Sequence, residues 1–205
     1  TGAMNQFADV PIQRNSVFLG IRFRPGGFSS LFQMAADSYS GHSINLSDID
    51  KSWTEIQYRL LETTDKVSLL NTVLLQKLNQ KKRVQNESPI ANLLHRIYQQ
   101  QGNIKVRQLA EDEFMSTRHV QRLFSDWIGL SPKTFCRIVR LQYSLRSLFC
   151  KDGGSGAEMS SEFGYSDQAH FIREFQTLIG MTPIRYMSDF FNTSSYPVNK
   201  IKEKT

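Results

Sequence analysis

The sequence is poor in cysteine and contains no long apolar run. Cys136 and Cys150 are the only cysteines among 205 residues, and they fall within one predicted helix, whose rise of about 1.5 Å per residue separates them by roughly 21 Å. They cannot form a disulfide while that helix is intact, so both are predicted to be small core residues. No run approaches the roughly 18 apolar residues that span a bilayer, and the start lacks a signal-peptide pattern. We expect a cytoplasmic protein without a membrane segment.

Patterns that mark catalytic, cofactor and metal sites are also missing. No glycine-rich phosphate loop follows a predicted strand, and no Ser/His/Asp or Cys/His set is apparent, although such sets are assembled in space. His119 and His170 are predicted to serve packing or phosphate contact and not metal binding. We therefore expect no enzyme activity, no metal site and no cofactor.

Before residue 84 the sequence predicts a small α+β segment. Residues 1–4 are interpreted as a cloning scar, and residues 5–83 as part of a sensor or dimerisation region. The stretch "SVFLGIRF", Ser16–Phe23, predicts one strand, followed by a turn at "RPGG". Because a single strand has no partner, the segment either packs against helices or is the remnant of a larger β-domain, and we favour the remnant.

Residues 52–82 predict a helical hairpin. Its apolar positions recur every three or four residues and comprise Trp53, Ile56, Leu60, Leu61, Val67, Leu70, Val73, Leu74 and Leu78. The same stripe permits two interpretations, packing within the chain or a homodimer through residues 52–82. The polar segment "NQKKRVQNESP", Asn79–Pro89, then predicts a domain boundary near residue 84.

After the boundary, residues 84–192 are predicted to be helical and residues 193–205 to be a flexible tail. The predicted helices cover 89–101, 106–113, 117–128, 132–150, 157–163, 167–179 and 183–191. The fold class is therefore mainly α, a seven-helix domain preceded by a small α+β segment.

One phrase occurs twice in this helical part. "HVQRLFSDWIGLSP", His119–Pro132, is repeated as "HFIREFQTLIGMTP", His170–Pro183. An offset of 51 residues pairs Arg122 with Arg173 and, further upstream, Phe114 with Tyr165. Each copy reads as a short helix, a tight turn, a longer helix and a stop made of Gly, Ser/Thr and Pro. That order is typical of a helix-turn-helix, with units near 106–128 and 157–179.

The longer helix of each copy has an apolar stripe and a separate polar face. In the first copy the polar face carries Arg118, Gln121, Arg122 and Ser125. In the second, Ile172 falls on the outer side, where an exposed isoleucine suits contact with a thymine methyl group. Two such helices favour reading of successive major-groove segments about 34 Å apart.

Charge supports an anionic partner. The net charge is +6, and the segment from Arg118 to Arg146 holds six basic residues against the single acid Asp126. Arg137 and Arg140 are candidates for phosphate contact, with solvated surface charge as the alternative interpretation.

These residues resemble the AraC/XylS transcription regulators over the stretch Pro89–Asp189. The strongest match is "FGYSDQAHFIREFQTLIGMTPIRY", Phe163–Tyr186, and "VRQLAEDEFMSTRHVQRLFSDWIGLSPKTF" matches in the same register. The resemblance implies a double helix-turn-helix domain that binds promoter double-stranded DNA and acts as an activator contacting RNA polymerase. "FLGIRFRPGGFSSLF" and "INLSDI" resemble the end of a sensor region, which leaves a small-molecule effector open.

The candidate site residues follow from this register. The base-reading candidates are Thr117, Arg118, Gln121, Arg122, Gln168, Ala169, Ile172 and Arg173. The phosphate-contact candidates are Ser116, Lys133, Arg137, Arg140, Asp167, His170 and Arg185. Ser161 stands where the first copy has Ala110, which predicts a looser second unit. The alternative from another class is a helical protein-interaction module that has kept the fold without reading DNA.

Overall fold

The computed structural model describes residues 2–5, 7, 19–80, 90–150 and 162–192, without the side chains of residues 148–150 and 190–192. Within these ranges the chain forms ten α-helices, one 3-10 helix and no strand, which confirms a mainly α protein. Two compact units are present. One comprises Thr1–Asn5 and Pro11–Arg140, the other Gln6–Val10 and Leu141–Thr205. This division falls at residue 140, whereas composition predicts a boundary near residue 84.

The predicted strand is not seen in the part of it that the structure describes. Leu19–Phe23 has no regular secondary structure, and residues 16–18 lie outside the described ranges. Leu19 and Ile21 are exposed. A strand is stabilised by the ladder and side-chain pairs of a neighbour, and the described residues offer it no strand partner.

Five short or medium helices follow in the first unit. They are α1 (Gly27–Phe32), a 3-10 helix (Ala36–Tyr39), α2 (Leu46–Ile49), α3 (Ser52–Glu62) and α4 (Lys66–Gln80). Helices α3 and α4 form the predicted hairpin around a core of Trp53, Ile56, Leu70 and Val73. An ion pair between Lys77 and Asp50 also joins α4 to the end of α2, and the hydrogen bond from Lys77 lowers the pKa of Asp50 to about 2.

The apolar stripe of the hairpin is only partly buried. Leu61, Val67 and Leu78, which the periodicity assigns to the inner face, are 79%, 58% and 51% exposed. All three lie at or within two residues of a helix end, and the periodicity of a helix does not tell how much of its length a partner covers. That part of the prediction is wrong for these three residues.

The first copy of the repeated phrase lies among three more helices and the start of a fourth. These are α5 (Ala91–Gln99), α6 (Val106–Asp112), α7 (Thr117–Ile128) and α8 (Pro132–Cys150). The largest fully buried side chains include Leu93, Ile97, Leu109, Val120 and Phe124, each of which stabilises the fold by roughly 1.5–3 kcal/mol. Cys136 lies on α8, free and buried, and burial raises the pKa of its thiol to about 11.

The second unit contains α9 (Gln168–Ile179) and α10 (Pro183–Asn192). Its core comprises Leu141, Phe163, Tyr165, Phe171 and Phe175. The aromatic rings meet edge to face, with centroids 5.2 Å apart for Tyr165 and Phe171 and 5.8 Å for Phe171 and Phe175, the arrangement that aromatic quadrupoles favour. The short helix predicted over 157–163 lies largely outside the described residues. None of the helices in the described part of the chain is long and apolar enough to cross a membrane.

Candidate nucleic-acid interface

Helix α7 presents one polar face and buries the other. Ser116 caps its N-terminus, because its Oγ accepts the backbone N–H of His119 at 3.1 Å. Gly129 ends the helix in a left-handed conformation with φ 75°. Between these signals Val120, Leu123, Phe124 and Ile128 are buried. The base-reading candidates of this helix, namely Thr117, Arg118, Gln121 and Arg122, are exposed.

An open groove runs along this polar face. Its volume is about 860 Å³, and its lining includes Arg118, Gln121, Arg122, Ser125 and the start of α8 at Ser131. One Arg122 guanidinium nitrogen, Nη2, lies 3.0 Å from Nδ1 of His119, so these two groove residues are hydrogen-bonded to each other. Asp126 brings the single acidic side chain among the residues that line it.

Residues before the hairpin hold the C-terminal end of α7. Ser29 Oγ donates to the carbonyl of Trp127 at 3.1 Å and is 2.7 Å from the Tyr39 hydroxyl. Since the serine has a single hydroxyl proton, Tyr39 is the donor in that second bond. Ser40 Oγ also donates to the carbonyl of Gly129. Sequence reasoning missed the bonds to Trp127 and Gly129, because they join residues 98 and 89 positions apart.

The same segment brings a carboxylate to the edge of the polar face. Ser125 Oγ donates to Asp37 Oδ2 at 3.2 Å, and Asp37 belongs to the 3-10 helix. Ser125 is the last residue of the polar face identified from the sequence. The first unit therefore combines a basic groove with an acidic residue at one end.

The basic candidates on α8 differ in their surroundings. Lys133 is exposed, whereas Arg137 and Arg140 are half-buried. Arg140 donates from Nη2 to the carbonyl of Gly102 at 3.3 Å, so its guanidinium already has a backbone partner within the unit. Of the three, Lys133 is the most accessible to a phosphate.

Helix α9 repeats the design of α7 with different chemistry at the cap. Asp167 Oδ1 accepts the backbone N–H of His170 at 2.6 Å, and this bond, with one from the Ser166 hydroxyl and the charge of Arg173, lowers the pKa of Asp167. Gly180 ends the helix at φ 84°. Three base-reading candidates, Gln168, Ala169 and Arg173, are exposed.

His170 is held within its own helix. Its Nε2 lies 3.2 Å from Oε2 of Glu174, a carboxylate that is only 5% exposed. Its Nδ1 accepts the backbone N–H of Ser166 at 3.3 Å. Both ring nitrogens thus have partners inside the protein, and the ring also packs edge to face on Tyr165. A phosphate contact by this ring would have to replace one of those bonds.

Two further candidates have surroundings that sequence reasoning did not foresee. Ile172 is half-buried and packs against the core of the second unit, so the expectation of an exposed isoleucine is wrong. The buried stripe of a helix is wider than a strict 3.6-residue period suggests, and the cluster that contains Phe171 and Phe175 extends to Ile172. Arg185 is exposed and pairs with Asp189 one turn later at 3.8 Å.

The turns of the two units differ by one residue. Phe114 and Gly164 are the residues with positive φ, at 53° and 71°, so they are structurally equivalent at an offset of 50. The helices that follow begin at Thr117 and Gln168, an offset of 51. Phe114 is 99% exposed whereas Tyr165 is 5% exposed. The predicted pairing of Phe114 with Tyr165 is therefore wrong, because an extra residue lengthens the second turn.

Comparison with known proteins agrees with this geometry. Residues 109–189 match a helix-turn-helix domain family. The chain is 34% identical over 90 residues to an uncharacterized HTH-type transcriptional regulator of Haemophilus influenzae, covering 44% of this chain and 30% of that protein. It is 32% identical over 88 residues to the probable transcription factor PqrA of Proteus vulgaris, covering 43% of this chain and 71% of that protein. No solved structure matches the chain.

The fold and the exposed faces of α7 and α9 define a helix-turn-helix protein of the transcription-regulator class. The relatives place it more narrowly. The chain belongs to the AraC/XylS family of DNA-binding transcription regulators.

Proposed function

We propose that this protein is a sequence-specific transcription regulator that inserts α7 and α9 into successive major-groove segments of promoter DNA. The observation that carries the proposal is a repeated local design. Each helix has a side-chain cap at its N-terminus, a glycine at its C-terminus, a buried phenylalanine, and an exposed arginine two residues before that phenylalanine.

This design suits base reading. The caps hold the first turn of each helix in place, and base-edge contacts in helix-turn-helix proteins come from N-terminal residues of the recognition helix. Arg122 and Arg173 can each donate two hydrogen bonds to guanine O6 and N7, worth about 1–3 kcal/mol of discrimination per base pair. Thr117, Arg118, Gln121, Gln168 and Ala169 complete the proposed reading set, with Ile172 as a partly buried member.

Phosphate contacts would set the register of the protein on the duplex. The proposed groups are Ser116, Lys133, Arg137, Arg140, Asp167, His170 and Arg185. Ser116 and Asp167 would act mainly through the N-terminal amides of the helices they cap, since a carboxylate itself repels phosphate. If the one lysine and three arginines each neutralise a phosphate, log K falls with log salt at a slope of about −3 to −4.

The proposed partners other than DNA are RNA polymerase, a second copy of the chain and a small-molecule effector. We propose activation through contact with RNA polymerase in the cytoplasm, without catalysis or a cofactor. Exposed Leu61, Val67, Leu75 and Leu78 on the hairpin favour a homodimer through residues 52–82. A small-molecule effector would act through the segment before residue 84.

The experiment that tests the proposal is selection from random duplex DNA, followed by binding of the selected site across a salt series. Two short conserved blocks about one helical turn apart, with affinity that falls steeply with salt, are expected. The exposed Phe114 and the hairpin side chains favour one alternative, a module that binds proteins. Absence of any enriched site, with binding that is flat in salt, would select that alternative.

A further inference from the structure

The two histidines of the repeated phrase occupy equivalent helix positions but make different bonds. His170 uses both ring nitrogens inside its unit, toward Glu174 and Ser166. His119 instead directs Nδ1 to the guanidinium of Arg122, at 3.0 Å from Nη2. The ring of His119 is therefore bonded to a proposed base-reading side chain, whereas the ring of His170 is bonded to Glu174 and to the backbone of Ser166.

Three features of α7 restrict the geometry of the bond between His119 and Arg122. His119 and Arg122 are three residues apart, so their side chains lie on the same face of the helix. The backbone N–H of His119 is bonded to the Ser116 cap, which holds residue 119 in a regular first turn. His119 is also half-buried, so its ring has fewer accessible orientations than a fully exposed side chain.

The hydrogen-bonding capacity of arginine allows it to bond His119 and guanine together. A guanidinium has five N–H donors and no acceptor, and each terminal nitrogen carries two of those donors. One Nη2 proton directed to His119 leaves the second Nη2 proton and the Nη1 protons for guanine O6 and N7. The bond requires a histidine whose Nδ1 is unprotonated, because a ring protonated on both nitrogens has no acceptor to offer.

We propose that His119 is a positioning residue that holds the Arg122 guanidinium in place for base reading. This inference rests on the proposed function, since it assigns His119 a role in the recognition made by α7. Holding a long, flexible side chain in advance reduces the freedom it loses on binding, which improves discrimination without adding a contact to DNA. The base read by Arg122 is accordingly more stringently specified than the base read by Arg173.

The test uses the intact chain and the duplex obtained by selection. The base pair read by Arg122 is first located as the position at which R122A loses its preference. Discrimination there is then measured at pH 8 for wild type, H119L, H119A and H119N. Asparagine is the conservative variant, because its side-chain oxygen can accept the Arg122 proton from a position close to that of Nδ1. H95L, at an exposed histidine on α5, is the matched control.

H119L and H119A are each expected to lose about 3- to 10-fold of the discrimination at that one base pair, while H119N and H95L stay within about twofold of wild type. Preference at the other base pairs should not change, which a general loss of folding would not reproduce. Unchanged discrimination in both H119L and H119A, or an equal loss in H119N, overturns the proposal.

The ring tautomer gives a readout that does not depend on DNA. Nitrogen-15 shifts of His119 in the free protein are expected to show an unprotonated Nδ1 whose signal moves in R122A and does not move in R173A. A protonated Nδ1, or a signal indifferent to R122A, overturns the inference while leaving DNA binding intact. Failure of wild-type protein to select any duplex overturns the proposed function itself, and the two failures are therefore distinguishable.

Discussion

The two copies of the repeated phrase have nearly the same sequence pattern but different surroundings. In the first, the residue that ends α7 is hydrogen-bonded to Ser40 and packed against Ala36. In the second, Gly180 at the end of α9 approaches the ring of Phe7. The repeat therefore determines the shape of α7 and of α9, whereas the surroundings determine how firmly the end of each helix is held.

The caps and histidines differ in the same manner. Ser116 is a neutral cap and Asp167 an ionised one, and the ring of His119 meets an arginine where that of His170 meets a buried carboxylate. The two copies thus share the backbone geometry of the longer helix and its ends, whereas the charges around that helix differ. The following changes test this comparison, beginning with the largest expected effect.

Alanine substitutions at Gly129 and Gly180, which end α7 and α9, should lower the free energy of unfolding by different amounts. A Cβ at Gly129 would lie 2.8 Å from the backbone oxygen of Ala36 and 2.6 Å from Ser40 Oγ, whereas the atoms nearest to a Cβ at Gly180 belong to the ring of Phe7, at 2.7 Å. Because a backbone atom cannot move away as a ring can, G129A is expected to cost about 3 kcal/mol or more and G180A about 1–2 kcal/mol. Chemical denaturation measures both.

Gly41 is the control for this pair. It has φ 73° and open space around the position of a Cβ, so G41A reports the cost of the left-handed backbone alone, about 1–2 kcal/mol. If G129A costs no more than G41A, the N-terminal segment does not constrain the end of α7.

Replacing Arg122 or Arg173 should weaken duplex binding at different base pairs. R122A and R173A are each expected to weaken binding to the selected duplex by about 1–3 kcal/mol and to relax preference at one base pair. Each loss should be confined to its own half of the site. R107A is the control, because Arg107 is exposed on α6 and paired with Glu111. Relaxation of the same base pair by both variants would contradict separate readers.

The two caps should respond differently to acid. S116A is expected to destabilise α7 by about 1 kcal/mol at every pH. The lowered pKa of Asp167 means that its stabilisation is present above the ordinary value of 3.8 and is lost as pH falls through the folded value. Hydrogen exchange should therefore show α9 losing protection in that acid range, with α7 unaffected.

D167N is the matched variant for the acid experiment, since asparagine also caps helices but does not titrate in this range. Protection of α9 in D167N should be independent of pH over the same interval. An acid-dependent loss that persists in D167N would assign the effect to another group.

The smallest expected effect concerns the carboxylate beside α7. D37N removes a negative charge 3.2 Å from Ser125 Oγ, so duplex affinity is expected to rise about two- to threefold at low salt and to approach wild type at high salt. D48N, at an acidic residue in α2, serves as the control. A decrease in affinity would show that Asp37 supports α7 instead of opposing the phosphates.

Much of the candidate site could be predicted from local patterns. The periodic spacing of Val120, Leu123 and Phe124 is enough to place Arg118 and Arg122 on the opposite face of one helix. Serine or aspartate before the helix and glycine after it mark both of its ends. Pairing residues at a constant offset conceals the extra residue in the second turn. Gly164 is the sequence signal for that turn, since glycine favours positive φ.

What the sequence by itself determined is the helices from α3 onward among the described residues, with the end signals and polar faces of α7 and α9, because these depend on residues within three or four positions of one another. The shorter helices before α3 were not predicted from the sequence. Tertiary structure alone decided which apolar residues are covered, as for exposed Leu61 and half-buried Ile172. It also decided the partner of each polar group, as in the bond from Ser125 to Asp37 across 88 positions. Such contacts depend on which distant segments pack together when the core is buried. A local sequence pattern does not specify that packing.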